Sequence, residues 1–216
     1  IKETYPHIKI FISVGGWTGS GEFSNMANTA EGRRRFAQSA LEFIETYNFD
    51  GVDIDWEYPV CNGLQAGRPE DKENFTLLLK ELRQTLGKNA LLTIAASANP
   101  DCLNSIEIDE FIQYLDWVNI MTYDFHGDWS NHSGHNSPIS SPLNCSDGSV
   151  ETALSYLRDQ RYISSTQLLM GIPFYGKMFN APELYKSFTG DVTNLEYHKI
   201  PSHTNADWSR LWDDYS

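Results

Sequence analysis

The stretch Asp50-Gly-Val-Asp-Ile-Asp-Trp-Glu57 contains four carboxylates in eight positions and alternates acidic with apolar residues over its last five. A period of two is typical of a β-strand, and it directs Asp53, Asp55 and Glu57 to one side, about 6.6 Å apart at each step. The opposite side is apolar and consists of Val52, Ile54 and Trp56. The stretch therefore predicts a strand that is buried on one side and acidic on the other.

Aligning three carboxyl groups costs energy, because like charges raise one another's pKa and make the groups share protons. Crowding and burial are the means by which enzymes keep a carboxylic acid protonated near neutral pH. A calcium site is disfavoured because its ligands come from flexible loops with a glycine turn, whereas this run is β-branched. A solvated edge strand is disfavoured by the apolar side. The pattern predicts acid–base catalysis at the end of a buried strand.

Composition excludes several classes of partner. The 216 residues carry a net charge of −13, and the sequence has a pI of about 4.7. This charge repels a phosphate backbone, so we expect no nucleic acid ligand. No apolar run is long enough to span a membrane. Six Trp and 11 Tyr suit a neutral ligand with flat hydrophobic faces, such as a sugar ring. No pattern predicts an oligomeric state.

Strands and helices alternate along the chain. The predicted strands are 8–14, 50–57, 91–96, 117–121 and 167–172, and the predicted helices are 29–47, 69–87, 106–115 and 149–160. Nearly continuous apolar strands separated by helices predict a parallel sheet covered by helices. Both a doubly wound sheet and a (β/α)8 barrel place binding groups at the carboxyl ends of strands. Because several different strand ends carry polar and aromatic residues here, we favour the barrel.

The alternation stops beyond Lys177, and the rest of the chain is aromatic-rich and polar. We therefore predict a partial (β/α)8 catalytic barrel over residues 1–179 and the start of an inserted α+β subdomain over 180–216. The chain enters a strand within ten residues, so we expect it to be part of a longer polypeptide.

Three cysteines, Cys61, Cys102 and Cys145, give an odd count. Each follows a predicted strand, and two interpretations stay open. One is a disulfide between Cys61 and Cys102, on adjacent loops of a secreted protein. The other is three unpaired thiols.

Three histidines fall within ten residues, at His126, His132 and His135. Their loop is rich in Gly, Asn and Ser and lacks the carboxylate spacing of catalytic zinc sites. We interpret it as a loop that shapes a cleft, and we expect neither a metal ion nor a cofactor.

Four motifs carry a resemblance to a known family. Asp50–Glu57 resembles the catalytic strand of the family 18 glycoside hydrolases, the chitinases and their relatives. Ser13-Val-Gly-Gly-Trp17, Met121-Thr-Tyr-Asp124 and Gly171-Ile-Pro-Phe-Tyr-Gly176 resemble the motifs on strands three, six and seven of that family. They occur in the family's order over residues 8–177. The resemblance implies a partial barrel of about strands three to seven, which we expect to be inactive without the rest of the barrel.

The resemblance also implies a retaining hydrolysis in which the substrate's own acetamido oxygen is the nucleophile. Glu57 would act as the acid and then as the base, and Asp55 would hold the acetamido N–H. Asp53 would share a proton with Asp55, and the Tyr123 hydroxyl would donate a hydrogen bond to the acetamido oxygen. Asp50, at the start of the strand, is interpreted as structural.

The same resemblance implies a substrate-binding set consisting of Gly15, Gly16, Trp17, Tyr58, Met121, Asp124 and Tyr175. The expected substrate is chitin or N-acetylglucosamine oligosaccharides, and the expected location is extracellular. An endo-β-N-acetylglucosaminidase and a chitin-binding lectin are the alternatives. A lectin of this family lacks the catalytic acid, whereas Glu57 is present. Lys177 stands where the family often has an Arg, which removes a planar, bidentate donor.

Overall fold

The computed structural model describes residues 1–141 and 147–200. They form two compact units. The first consists of Ile1–Ile120 and Leu157–Leu169, and the second of the described residues of Met121–Tyr156 and Met170–Ser216. The domain boundary at residue 179 stays a prediction, and residues 201–216 of the expected subdomain lie outside the described residues.

Strands and helices alternate as the sequence predicts. The strands are β1 Phe11–Gly15, β2 Gly51–Asp55, β3 Leu91–Ser97, β4 Trp117–Met121, β5 Leu168–Met170, β6 Tyr175–Met178 and β7 Thr193–Glu196. The α-helices are α1 Phe23–Ala27, α2 Ala30–Tyr47, α3 Asp71–Leu86, α4 Pro100–Asn104, α5 Ile108–Phe111 and α6 Val150–Ser155.

Five strands form one sheet in the order β1-β2-β3-β4-β5, and β6 pairs antiparallel with β7. The strands β1, β2 and β3 are parallel, in a register that aligns Ser13 with Asp53 and Asp53 with Thr93. A doubly wound sheet reverses its strand order at a switch point, whereas this sheet follows chain order. The topology is therefore that of part of a (β/α)8 barrel.

The apolar side of β2 packs into the core, as its alternation predicts. Val52 and Ile54 are fully buried, and Trp56 is 3% exposed. The Trp56 ring stacks on Phe23 of α1 at 5.3 Å and meets Phe75 of α3 edge-on at 5.4 Å. Burying large apolar side chains against two helices fixes which face of β2 is left for the carboxylates.

Helix boundaries follow local capping. Thr29 accepts a hydrogen bond from the Gly32 N–H at 3.0 Å, and Ser149 accepts one from the Thr152 N–H at 3.1 Å. Both residues act as N-caps, at the first positions of the helices predicted over 29–47 and 149–160. The helix predicted from residue 69 begins at Asp71, because the Asp71 carboxylate accepts a hydrogen bond from the Arg68 N–H at 2.7 Å and closes a turn there.

Several other predicted boundaries were wrong: the strand predicted from residue 8 begins at Phe11, the strand predicted over 167–172 spans Leu168–Met170, and α1 was not predicted. The helix predicted over 106–115 is only the four residues of α5 followed by a 3₁₀ turn at Ile112–Tyr114, and α4 was not predicted. The helix predicted to residue 160 leaves α geometry after Ser155 and continues as a π turn. The strand predicted over 50–57 ends at Asp55, since the Glu57 N–H donates to the Ser20 hydroxyl at 2.9 Å.

Within the described residues, no helix combines the length and the hydropathy needed to cross a bilayer.

Candidate active site

Asp53 is held by donors from three other strands of the sheet. Its Oδ2 accepts a hydrogen bond from the Ser13 hydroxyl at 2.8 Å, and its Oδ1 accepts from the Thr93 hydroxyl at 2.6 Å. The Asn119 amide of β4 donates to the same Oδ1 at 3.0 Å. Three fixed donors hold this carboxylate in one orientation.

Asp55 lies in the opposite situation. Its Oδ1 is buried and accepts no hydrogen bond from any residue in the described ranges 1–141 and 147–200. Burial, and after it the charges of Glu57 and Asp53, raise the pKa of Asp55 to about 6. A buried acceptor without a donor costs free energy, so this carboxyl oxygen lowers the stability of the folded protein.

Glu57 lies two residues beyond β2, is partly exposed, and is close enough to Asp55 for its charge to raise the pKa of Asp55. Its backbone is fixed by the Ser20 hydroxyl, and a cis peptide bond joins it to Tyr58, which is also partly exposed. The first unit thus brings together the three carboxylates that the alternation predicted on one side of the strand.

The glycines after β1 lie against the end of β2. Gly15 and Gly16 have φ of +122° and +85°, which favour glycine. A Cβ on Gly15 would lie 2.0 Å from the Asp55 carbonyl oxygen. The Gly16 N–H donates to that same oxygen at 2.8 Å. The next residue, Trp17, is 50% exposed, so its ring is available for contact with a ligand.

Ser20 was missed by the sequence analysis, although it connects these parts. Its hydroxyl is directed at the carbonyl oxygens of Gly16, at 2.8 Å, and Asp55, at 3.1 Å. The same oxygen accepts the Glu57 N–H, and Ser20 is only 5% exposed. A serine between glycines is typical of an ordinary turn, so no local signal distinguishes it.

In the second unit, a buried lysine pairs with an exposed aspartate. The Lys177 side chain is 6% exposed, and its Nζ lies 2.7 Å from the Asp124 carboxylate. The same Nζ lies 5.1 Å from the ring centre of Trp129 and 5.6 Å from that of Tyr175. An ammonium above two aromatic rings gains cation–π attraction in addition to the ion pair.

Tyr123 and Tyr175 lie beside this pair, with ring centres 6.2 Å apart in an edge-to-face arrangement. Burial, and then the hydrogen bond that its hydroxyl donates to Asp124, raise the pKa of Tyr175 well above its ordinary value. Asn136, which the sequence analysis missed, accepts from the Asp124 N–H and donates to the Tyr175 carbonyl, both at 3.2 Å. The second unit thus brings together Tyr123, Asp124 and Tyr175, and Met121 is partly exposed at the end of β4.

A disulfide joins Cys61 to Cys102. The prediction of this pair is confirmed, and the interpretation of three unpaired thiols was wrong. Cys145 lies outside the described residues. The bridge ties the loop after Glu57 to α4 and closes a loop of 41 residues in sequence separation.

Two of the three clustered histidines, His126 and His132, lie beside Asp147. The three side chains offer ligand atoms that all lie within 4.8 Å of one another. The His135 ring instead lies edge-on to Tyr185 at 5.8 Å. The sequence analysis did not connect Asp147 with the histidines.

Comparison with known proteins relates the whole chain to one family. Residues 1–216 match the family described as glycosyl hydrolases family 18. Chitinase A1 of Niallia circulans is 44% identical over 193 residues, which are 82% of this chain and 28% of that protein. The chain spans less than half the length of the first curated relatives that it matches, at 28%, 47% and 44%.

Solved structures agree with the observed topology. A family 18 N-acetylglucosaminidase from Paenibacillus barengoltzii has a TM-score of 0.92 at 32% identity, and the match covers 99% of this chain and 68% of that one. Catalytic domain 2 of a Group II chitinase from Ostrinia furnacalis, in complex with penta-N-acetylchitooctaose, has a TM-score of 0.80 at 32% identity and covers 87% and 52%. The sheet is therefore part of a (β/α)8 barrel, and the chain belongs to glycosyl hydrolases family 18.

Proposed function

We propose that the protein containing this chain is a retaining chitinase that hydrolyses β-1,4-linked N-acetylglucosamine polymers with the help of the substrate's acetamido group. The observation that carries this proposal is the Asp55 carboxyl, whose buried Oδ1 has no donor among the described residues. An acetamido N–H is a donor of the required kind. The neighbouring carboxylates supply the acid–base groups that the reaction needs.

Glu57 protonates the glycosidic oxygen as the bond to the anomeric carbon breaks. The acetamido carbonyl oxygen attacks that carbon and forms a cyclic oxazolinium ion. Asp55 accepts the acetamido N–H, which orients the group and stabilises its positive charge. Glu57, now a carboxylate, takes a proton from a water molecule whose oxygen attacks the anomeric carbon, and the bond from that carbon to the acetamido oxygen breaks. Two inversions at one carbon retain the β configuration, which distinguishes this route from direct displacement by water.

Asp53 positions Asp55 rather than touching the substrate. Three donors fix the orientation of the Asp53 carboxylate. When the Asp55 side chain rotates away from the substrate, it therefore faces a carboxylate of defined orientation. A carboxyl with a pKa of about 6 takes up and releases a proton readily near neutral pH. The charges of Glu57 and Asp53 add to the effect of burial on the pKa of Asp55, so proton uptake at Asp55 depends on both neighbours.

The residues of the second unit complete the proposed set. The Tyr123 hydroxyl donates a hydrogen bond to the acetamido oxygen, and Asp124 binds the sugar at the cleaved position. Met121 and Tyr175 line the same subsite. In the first unit, the exposed Trp17 ring stacks on a sugar face, and Gly15, Gly16 and Tyr58 form the adjacent wall.

We propose further that the protein is secreted and that activity requires more of the protein than this chain. A disulfide is typical of an oxidising compartment, which supports secretion. The chain covers 28% of Chitinase A1, so the complete protein is the appropriate material for assays.

The decisive experiment follows the anomers released from chitin hexamer over time by the complete protein and by its Glu57→Gln variant. We expect β-anomers first, and a loss of about 10³-fold in turnover in the variant, because general acid catalysis contributes about 10²–10⁴-fold. Initial α-anomers would contradict the mechanism, and tight binding without cleavage would make the unmodified protein a lectin. The alternative endo-β-N-acetylglucosaminidase would cleave an N-glycan core and leave the hexamer intact.

A further inference from the structure

Two imidazole rings and one carboxylate face one another in the loops of the second unit. His126 Nε2 lies 2.9 Å from Asp147 Oδ2, and His132 Nε2 lies 3.7 Å from Asp147 Oδ1. The ring centres of the two histidines are 5.3 Å apart. The side chain of His126 is only 5% exposed, and those of His132 and Asp147 are 27% and 19% exposed.

The other ring nitrogens determine which atoms carry protons. His126 Nδ1 lies 2.9 Å from the His135 carbonyl oxygen, and His132 Nδ1 lies 3.0 Å from the Ser133 carbonyl oxygen. A carbonyl oxygen only accepts, so each Nδ1 is the N–H donor. In a neutral ring, Nε2 then presents a lone pair, and both lone pairs face a carboxylate that is itself only an acceptor.

A positive charge between His126 Nε2 and the carboxylate would satisfy both of these acceptors. If a proton supplies it, His126 becomes a buried imidazolium, and His132 Nε2, which lies 3.7 Å from the carboxylate and beyond hydrogen-bond distance, is not engaged. If a metal ion supplies it, both rings stay neutral and the carboxylate balances part of its charge. We propose that His126 Nε2, His132 Nε2 and the Asp147 carboxylate bind a divalent transition-metal ion of the zinc type, with water as a fourth ligand.

The distances suit such an ion. Bonds of about 2.0–2.2 Å in a tetrahedron separate neighbouring ligand atoms by about 3.3–3.5 Å. The two nitrogen–oxygen separations, 2.9 and 3.7 Å, lie on either side of this value, and all ligand atoms fall within 4.8 Å of one another. Small side-chain rotations are enough to equalise them.

The surroundings orient the rings as a metal site requires. Ligating histidines usually donate their second N–H to a backbone carbonyl or a carboxylate, and both rings here do so. Gly134 packs directly on the His126 ring, because a Cβ at this position would lie 2.4 Å from three ring atoms. The buried ring therefore has little freedom to turn away.

The proposed ion has a structural effect. It would join the loop after β4 to Asp147, two residues before the Ser149 cap of α6. No reacting atom lies in this cluster, so the ion stabilises the loop without a part in bond cleavage. The site is independent of the proposed glycosidase activity.

The test uses the complete protein, stripped with a chelator and freed of any histidine tag. Zinc chloride is titrated calorimetrically into the unmodified protein and into the His132→Asn and His198→Asn variants. His132 is partly exposed, so its variant is expected to fold. His198 is the matched control, because it pairs with Glu196 at 3.4 Å on the exposed surface, and among the described residues this pair belongs to no group of three metal-ligating side chains.

We expect one equivalent of zinc, a rise of several degrees in melting temperature, and binding at least about a hundredfold weaker in His132→Asn only. Cobalt(II) added to the unmodified protein should show the strong visible absorption of a four-coordinate ion, a readout independent of any variant. The proposal is overturned if zinc neither binds nor stabilises the protein, or if His132→Asn binds it as tightly as His198→Asn does.

Discussion

The two ends of β2 hold aspartates in opposite electrostatic situations. Asp50, just before the strand, accepts from the Ile10 N–H at 2.8 Å and lies 2.8 and 3.3 Å from the ammonium groups of Lys2 and Lys9. The hydrogen bond from Lys2 is the largest cause that lowers the pKa of Asp50, to about 2. At the other end, burial and like charges raise the pKa of Asp55 to about 6.

This difference separates stability from chemistry on a single strand. The amino end of a barrel strand contributes to stability, and the carboxyl end carries binding and catalysis. Asp50 satisfies every expectation for a stabilising carboxylate, since positive groups and an N–H surround it. Asp55 does not, because its Oδ1 is buried without a donor among the described residues, and the nearby groups that act on it are two other carboxyl groups. A group that the fold maintains against its own stability is a strong candidate for function.

The largest expected effect comes from Asp55→Asn. This change removes the charge that balances the oxazolinium ion and keeps the shape of the side chain. Turnover of chitin hexamer by the complete protein should fall by about 10²–10³-fold, as when one electrostatic stabiliser is removed. The matched control is Asp50→Asn at the other end of β2, which should keep turnover within about threefold of the unmodified protein.

Equal losses in Asp50→Asn and Asp55→Asn would remove the distinction between the two ends of the strand. Steady-state kinetics on the hexamer and a melting curve for each variant are sufficient, since the melting curve identifies a loss caused by unfolding.

Much of the fold was predictable because its determinants are local. The alternation over Asp50–Glu57, the caps at Thr29 and Ser149 and the stop at Gly87 each depend on residues within one or two turns. The end of β2, which was wrong, depends on a distant contact. The strand stops at Asp55, and two residues later the Glu57 N–H donates to Ser20, far away in sequence.

The site was predictable where it lies on motifs and unpredictable where it depends on register. Thr93 reaches Asp53 because the parallel register of β2 and β3 pairs these two residues, and Asn119 reaches it from β4. Their one signal in the sequence is that each is an isolated polar residue in an apolar strand. Asp147 carries no signal at all, since only the folding of its loop brings it to His126.

A smaller effect on turnover is expected from Ser20→Ala. The Glu57 N–H would lose its acceptor, and the backbone that carries the acid would gain freedom. An unsatisfied N–H of this kind costs about 1–3 kcal/mol, and we expect kcat to fall by about tenfold with little change in KM.

Ser24→Ala is the control, because the partly buried Ser24 hydroxyl donates to Asp71 at 2.7 Å and does not contact Asp53, Asp55 or Glu57. It should lower the melting temperature and leave kcat unchanged. If the two serine variants lose kcat equally, Ser20 has only a structural role.

Asp50→Asn tests the stabilising end of the strand. The folded-state pKa of Asp50 lies below its unfolded value, so its contribution is present above about pH 4 and is lost as the pH falls toward 2. After allowance for solvent screening, the variant should be less stable by about 1 kcal/mol at pH 7. Melting curves for the two proteins should converge near pH 2, and a constant difference across this range would exclude an electrostatic origin.

The smallest expected effect is a gain in stability, opposite in sign to the loss in Asp50→Asn, and it comes from Asp55→Asn. Its folded-state pKa, about 6, lies above the unfolded value of 3.8, so the folded protein binds more protons between these two values and loses stability as the pH rises. Asp55→Asn removes this loss. The variant should therefore match the unmodified protein at pH 3.5 and be more stable at pH 7.5, by roughly 0.5 kcal/mol once solvent screening is allowed for.

A gain in melting temperature at pH 7.5, together with the loss of turnover, would show that the fold keeps this carboxylate for its chemistry. A variant that is less stable at both pH values would instead assign Asp55 a structural role.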